Sequence, residues 1–141
     1  MKNYLYASFP SLTCNESLAR GVCAQFAIML DPTVEELSDV RTAVSEAVTN
    51  AIIHGYGNAD GQVVMELEAE DDMLTVTVRD TGRGIEDIEL ARRPFYTSKP
   101  GEERSGMGFV VMEAFMDSVE VESAPGRGTT VIMRKRFLRD G

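Results

Sequence analysis

Three short segments, each with residues suited to binding or reaction, constrain the fold of this chain more than any other feature of its sequence. Glu46 and Asn50 are four residues apart in a stretch of helical period, so their side chains point from one helical face. Residues 80–84 (Asp-Thr-Gly-Arg-Gly) follow a strand-like stretch, and residues 106–108 (Gly-Met-Gly) open another helix. The glycine turns leave room beside the paired acid and amide, so we expect the fold to bring all three segments to one pocket.

The residue types gathered in this way are those of a nucleotide pocket. The Glu46 carboxylate can accept a proton from an attacking hydroxyl, and the side-chain oxygen of Asn50 can hold Mg²⁺ beside it. The Asp80 carboxylate, where a strand ends, can accept a hydrogen bond from the exocyclic amine of adenine, and Thr130 can support it from a neighbouring strand. The sequence therefore predicts selection of adenine at one end of the pocket and chemistry at the other.

The glycines are expected to admit the base and the phosphates. Gly82 and Gly84 let the backbone approach the base, because glycine adopts dihedral angles that other residues resist. Gly106 and Gly108 precede a helix whose unpaired N–H groups and positive dipole end favour phosphate. The two turns thus divide the binding of one nucleotide between them.

A segment at about 85–105 has no sustained periodicity and carries glycine, proline and many charges. Loops of this length are usually functional, so we expect a lid over the pocket. Lys99 and Arg104 are its candidates for the γ-phosphate. Arg104 is favoured, because it adjoins the Gly106 turn and its planar guanidinium suits phosphate.

Period and capping signals place two helices in the first half of the chain. Asn15 is expected to cap a helix at about 16–30, and a capping box of Thr33 and Glu36 opens a second helix that Gly55 ends. In the first helix, core spacing is found at Leu18, Val22, Phe26 and Met29.

The remaining elements predict an α+β fold. Strand-like alternation occurs at 4–9, 63–68, 74–78, 119–123 and 129–137, and a further helix is expected at 108–116. The order β-α-α-β-β-lid-α-β-β indicates a two-layer sandwich of helices on a mostly antiparallel sheet. The length of 141 residues suits one domain over residues 1–141.

Composition narrows the setting and the partners. A net charge of −9, from 23 acids and 14 bases, disfavours direct nucleic-acid binding, because the phosphate backbone attracts a basic surface. No apolar run approaches the ~20 residues of a membrane span, and the N-terminus lacks the build of a secretory signal. We therefore expect a cytoplasmic protein with protein partners and no membrane partner.

Four motifs in order carry a resemblance to a known superfamily. Residues 45–51 (SEAVTNA), 80–84 (DTGRG), 105–109 (SGMGF) and 128–130 (GTT) resemble the motif series of the Bergerat-fold ATPases and kinases, which include gyrase, Hsp90, histidine kinases and MutL. The single-domain size and the amino-acid sequences of residues 45–56 and 104–109 are most similar to those of the anti-sigma-F factors of spore-forming bacteria, a family of serine kinases. The resemblance extends over the whole chain.

The resemblance implies a two-state switch that uses ATP, ADP and Mg²⁺. The family forms a homodimer that holds a sporulation sigma factor away from RNA polymerase and phosphorylates a serine on an anti-anti-sigma factor. By this resemblance Glu46 and Arg104 are catalytic, Asn50 binds Mg²⁺, and Arg20 docks protein partners. The residues expected to contact the nucleotide are Asn50, Asp80, Gly82, Gly84, Thr97, Lys99, Ser105, Gly106, Met107, Gly108, Phe109 and Thr130. His54 follows Asn50 on the same helical stripe and is interpreted as structural.

Three alternatives differ in class or partner. A stress-response anti-sigma kinase would share this chemistry and hold another sigma factor. An ATP-hydrolysing module resembling gyrase or MutL would use Glu46 on water, but it needs transducer domains for which the chain has no room. A nucleotide-gated binding module without phosphotransfer would not need Glu46, and its presence argues against that interpretation.

Overall fold

The computed structural model describes residues 2–57, 60–93 and 108–137, which fold into a layer of helices on one sheet. The strands are β1 (Lys2–Pro10), β2 (Gln62–Glu70), β3 (Met73–Asp80), β4 (Ser118–Ser123) and β5 (Thr129–Arg136). The helices are α1 (Asn15–Ala27), α2 (Val34–Asn50), α3 (Ile88–Ala91) and α4 (Gly108–Phe115), with a 3₁₀ turn at Ile28–Leu30 and a π-helical turn at Ala51–Tyr56. Neighbouring strands are all antiparallel, in the order β1-β2-β3-β5-β4.

The hydrophobic core lies between the sheet and the helices. Every second residue of β2 and β3 is buried, as expected for strands with one covered face. α2 packs between α1 and α4 and buries Val40, Ala43, Val44, Ala47 and Val48. The opposite, outer face of the sheet carries polar pairs such as Arg79 and Glu66, whose Nη1 and Oε1 atoms are 3.1 Å apart. The predicted α+β two-layer sandwich is confirmed.

The start of α2 follows its local sequence, whereas its end does not. The Thr33 hydroxyl accepts a hydrogen bond from the Glu36 amide at 3.0 Å, and the Glu36 carboxylate accepts one from the Thr33 amide at 2.9 Å, which confirms the capping box. The prediction that Gly55 ends the helix is wrong. The helix continues through the π-helical turn and closes at Gly57, whose φ is 62°.

The prediction for α1 is wrong in two details. Cys14 occupies the N-cap position, and the Asn15 side chain instead donates to the Pro10 carbonyl at 2.9 Å. Leu18 and Met29 are 55% and 40% exposed, although their spacing predicted core positions. The helix buries a stripe formed mostly of small residues, namely Ala19, Cys23, Phe26 and Ala27. Of the four residues at the predicted core spacing, Phe26 is buried and Val22 packs against the core, whereas Leu18 and Met29 are exposed.

The second half of the described chain matches the predicted elements closely. β2 and β3 form the expected hairpin, and the turn residue Asp71 has a φ of 55°. In the first part of the predicted lid, the Asp87 side chain caps the short α3 by accepting from the Leu90 amide at 3.0 Å. Among the helices of the described ranges, none has the length and apolar character needed to cross a membrane.

Candidate functional site

A cavity of about 430 Å³ opens between the end of α2, the end of β3, the short α3 and the start of α4. Its walls combine polar groups with an apolar surface. The apolar part includes Val78, Ile85, Leu90, Ala91, Phe109 and Val131. A mainly apolar cleft with a few placed polar groups is typical of a small-molecule site.

Asp80 supplies the buried acidic group of the cavity. It is only 6% exposed, and its Oδ1 accepts a hydrogen bond from the Gly82 amide at 2.9 Å. Burial raises the pKa of the Asp80 carboxyl above its ordinary value, and hydrogen bonds from the backbone of Gly82 and Thr129 offset part of that rise. The side chain is therefore a hydrogen-bonded acceptor held in place on the cavity wall.

Gly55 makes room for this carboxylate. A Cβ atom at Gly55 would lie 2.8 Å from both Cγ and Oδ1 of Asp80, closer than non-bonded carbon and oxygen atoms tolerate. The π-helical turn and the end of β3 therefore approach each other only because position 55 has no side chain. Gly55 therefore has a packing role within the turn.

Gly55→Ala is expected to weaken binding of an adenine nucleotide by about tenfold, because overpacking forces the carboxylate to move. Gly21→Ala is the matched control, since a Cβ there has no neighbour within 4 Å. Isothermal titration calorimetry of both variants and wild type checks the difference. Equal affinity in the Gly55→Ala and Gly21→Ala proteins would contradict the steric argument.

Of the two glycines that follow Asp80, Gly84 lines the cavity and Gly82 does not. Gly82 packs against the π-helical turn, where a Cβ would lie 2.0 Å from the Gly55 carbonyl oxygen, and it is not part of the cavity lining. Gly84 lines the cavity with a φ of 76°, and a Cβ there would lie 2.0 Å from the Ala124 carbonyl oxygen. Both glycines permit close backbone packing, and of the two only Gly84 lines the cavity.

At the other end of the cavity, α2 and α4 bring together residues from two of the predicted segments. Asn50 and Gly108 line the cavity. A Cβ at Gly108 would lie 3.1 Å from Asn50 Nδ2 and 3.3 Å from Glu46 Oε2. The acid and the amide therefore face the first residue of α4 together, as their spacing on α2 predicted. Asn50 and Phe109 line the cavity, whereas Glu46 is not part of its lining.

Thr130 is not brought to the cavity. In the sheet register, Asp80 pairs with Thr129 while Thr130 pairs with Arg79. Side chains alternate between faces, so Thr129 and Val131 line the cavity and Thr130 points to the outer face of the sheet. The prediction of Thr130 as a site residue is therefore corrected: Thr129 is the threonine on the cavity wall beside Asp80. The alternation of β5 shows that Thr129 and Thr130 face opposite sides of the sheet. Which of them faces the cavity is known only from the pairing of β5 with β3.

Several cavity residues were missed or given another role by sequence reasoning. Arg83 lines the cavity, and its Nε donates to the His54 carbonyl oxygen at 2.8 Å. His54, interpreted as structural, also lines the cavity. Leu90 and Ala91 come from the short α3, inside the predicted lid, and the sequence did not single them out as contact residues.

Other predicted residues lie away from the cavity or outside the described ranges. Arg20 does not line the cavity; its Nη1 lies 3.6 Å from Glu16 Oε1, which also accepts the Ser45 hydroxyl. The predicted site residues that lie outside the described ranges are Thr97, Lys99, Arg104, Ser105, Gly106 and Met107.

Comparison with known proteins agrees with this architecture. The family model of the histidine kinase-like ATPase domain matches residues 9–135. The anti-sigma F factor of Clostridium acetobutylicum is 56% identical over 137 residues, covering 97% of this chain and 96% of the relative. The anti-sigma F factor of Bacillus subtilis is 52% identical over 140 residues, covering 99% and 96%. That of Oceanobacillus iheyensis is 54% identical with the same coverage. The chain therefore belongs to the anti-sigma F factor family, within the histidine kinase-like ATPase domains.

Proposed function

We propose that this protein is an ATP-dependent serine kinase that also binds a sigma factor. The observation that carries the kinase proposal is that Glu46 and Asn50 both face Gly108, beside a cavity whose wall includes Asn50, Gly108 and the buried Asp80. A kinase needs both a base-binding end and a reactive end. Family membership supports the sigma-factor part, because the relatives are named anti-sigma F factors.

The Asp80 end is suited to adenine. An ionised carboxylate accepts hydrogen bonds, and the exocyclic amine of adenine donates them. Apolar side chains such as Val78, Ile85 and Val131 offer contact surface to the faces of the base. A guanine base presents a carbonyl where adenine has its amine, so two acceptors would face each other. We therefore propose ATP and ADP as the nucleotides.

The Asn50 end is suited to Mg²⁺ and phosphates. Mg²⁺ keeps several waters and commonly shares one or two protein oxygens with substrate phosphates. Within residues 2–57, 60–93 and 108–137, no group of three or more His, Cys, Asp or Glu side chains could hold a metal ion. The Asn50 amide oxygen at the cavity wall fits the sparse protein contribution that such an ion requires. When bound, the ion would neutralise charge on the phosphates.

Glu46 is proposed to act as the general base. The hydroxyl of a partner serine would lose its proton to the Glu46 carboxylate as its oxygen bonds to the γ-phosphorus of ATP. The bond from that phosphorus to the bridging oxygen breaks, and ADP leaves. Phosphoryl transfer depends mostly on positioning and charge stabilisation, so the first turn of α4 would contribute through its amides. The resemblance adds Arg104 as a second catalytic residue.

The partners are proposed from family membership. They are a sigma factor held in the ATP-bound state, an anti-anti-sigma factor that receives the phosphate, and a second copy of the chain in a homodimer. Arg20 is the proposed docking residue, and the setting is the cytoplasm. The relatives' name favours sigma F over the stress-response alternative, and retention assays with each purified sigma factor would separate the two.

Incubation with γ-labelled ATP, Mg²⁺ and a purified anti-anti-sigma protein tests the kinase proposal. We expect label on one partner serine, located by peptide mass spectrometry, and loss of labelling when Mg²⁺ is chelated. A parallel retention assay measures sigma-factor binding with ATP and with ADP. ATP-dependent retention without any labelled serine would leave a nucleotide-gated binding module and contradict the kinase proposal.

A further inference from the structure

The π-helical turn at Ala51–Tyr56 forms four hydrogen bonds with residues 80–83, named here the Asp80 loop; one joins the Tyr56 hydroxyl and Thr81 Oγ1 at 3.2 Å, and the other three involve backbone groups. The Arg83 amide donates to the Gly55 carbonyl oxygen at 2.9 Å, and Arg83 Nε donates to the His54 carbonyl oxygen at 2.8 Å. The Thr81 amide donates to the Tyr56 hydroxyl at 2.8 Å. π-Helical turns are rare and often mark functional sites. Here the turn directs two carbonyl groups and one hydroxyl toward the loop that begins with Asp80.

Of the residues that form these hydrogen bonds, Tyr56 lies outside the cavity. It is absent from the cavity lining, and its half-buried ring packs against the core. A Cβ at Gly61 would lie 2.4 Å from that ring, so the glycine makes space for it. The Tyr56 hydroxyl donates to the Gln62 carbonyl oxygen at 2.5 Å, at the start of β2. The hydroxyl is thus anchored on the sheet while it accepts from Thr81.

The hydrogen bond from the Thr81 amide to the Tyr56 hydroxyl restrains the backbone beside the Asp80 carboxylate. The Thr81 amide belongs to the peptide unit that directly follows the Asp80 Cα atom, and the next amide, that of Gly82, donates to Asp80 Oδ1. Rotation about the Cα–C bond of Asp80 would move the Thr81 and Gly82 amides together relative to the Asp80 side chain, and would therefore displace one of the donors to its carboxylate. The Tyr56 hydroxyl opposes that rotation by holding the Thr81 N–H.

We infer that Tyr56 is a positioning residue for base recognition: its hydroxyl holds Thr81 so that the Asp80 carboxylate faces the exocyclic amine of adenine. The inference rests on the proposed ATP site and assigns a role to a residue outside the cavity. Because the hydroxyl acts through the Asp80 loop, its removal should affect recognition of the amine more than contacts with the sugar and phosphates.

Tyr56→Phe tests this role, because phenylalanine keeps the ring and removes only the hydroxyl. Isothermal titration calorimetry would compare ATP with purine riboside triphosphate, which lacks the exocyclic amine and keeps the sugar and phosphates. We expect ATP to bind about fivefold more weakly and the analogue to change by less than about twofold, from the usual net strength of one hydrogen bond. Tyr4→Phe is the matched control, since Tyr4 is 76% exposed on β1.

The ratio of the two dissociation constants separates positioning from a general structural role. Partial unfolding weakens both nucleotides equally, so it cannot change the ratio measured on one protein. Equal weakening of ATP and the analogue, or no weakening of either, would overturn the role of Tyr56. If wild type itself fails to prefer ATP over the analogue, recognition of the amine by Asp80 and the role of Tyr56 are both wrong. The serine-labelling assay judges phosphotransfer independently of that result.

Discussion

Glu46→Gln is expected to lower phosphoryl transfer to the partner serine by about 10²- to 10⁴-fold, the usual contribution of a general base. Glutamine keeps the shape of the side chain but cannot accept the proton that the serine hydroxyl loses. ATP affinity and ATP-dependent retention of the sigma factor should stay close to wild type, because Asn50 and Asp80 are unchanged. Single-turnover labelling with γ-labelled ATP measures the transfer rate, and calorimetry measures ATP binding.

The control for this substitution is Glu122→Gln, which makes the same chemical change at an exposed position of β4. It should leave transfer and binding unaltered. Comparable transfer rates for Glu46→Gln and wild type would disprove the general-base assignment. A loss of ATP affinity in step with the loss of transfer would instead assign Glu46 to nucleotide or Mg²⁺ binding.

Asp80→Asn should weaken ATP binding by about 100-fold or more, because a hydrogen bond to a charged group is lost in a buried site. The asparagine amide can also turn its NH₂ group toward the amine of adenine, so that two donors face each other. Calorimetry with ATP and with purine riboside triphosphate checks the result, and the analogue should lose less affinity. Asp60→Asn, at an exposed loop position, is the matched control.

The pH dependence of the same binding adds a second measurement. Because burial raises the pKa of Asp80, the ionised acceptor is present above that raised pKa and is lost as the pH falls through it. ATP affinity should therefore decline at a higher pH than an ordinary aspartate would produce, and Asp80→Asn should remove this component. Comparison with purine riboside triphosphate cancels the titration of the phosphates. An identical pH profile for Asp80→Asn and wild type would contradict the assignment.

The parts of the fold that were predictable depend on local signals. The Thr33 and Glu36 capping box requires only the four residues that form it. The alternation of β2 and β3 reports one covered face without any knowledge of what covers it. The spacing of Glu46 and Asn50 likewise fixes their shared direction through helical period alone.

The wrong predictions concern residues whose surroundings are set by another part of the fold. Leu18 and Met29 have the spacing of a core stripe, yet they are exposed and α1 buries the small residues Ala19 and Cys23 instead. Gly55 was interpreted as a helix end because glycine often has that role. In the structure, glycine is needed at this position because a side chain would collide with the Asp80 carboxylate. Asp80 belongs to a strand that comes later in the chain.

The sequence alone determined the order of elements and the face shared by Glu46 and Asn50, and it led to the proposal that the segment beginning with Asp80 binds a nucleotide, because these follow from local period, capping and residue chemistry. Only the tertiary structure decided that Thr129 rather than Thr130 faces the cavity, since a shift of one residue in strand register exchanges the two faces of a sheet. It also decided that the Tyr56 hydroxyl meets the Thr81 amide. That contact joins residues 25 positions apart, and no local pattern in the chain encodes such a distance.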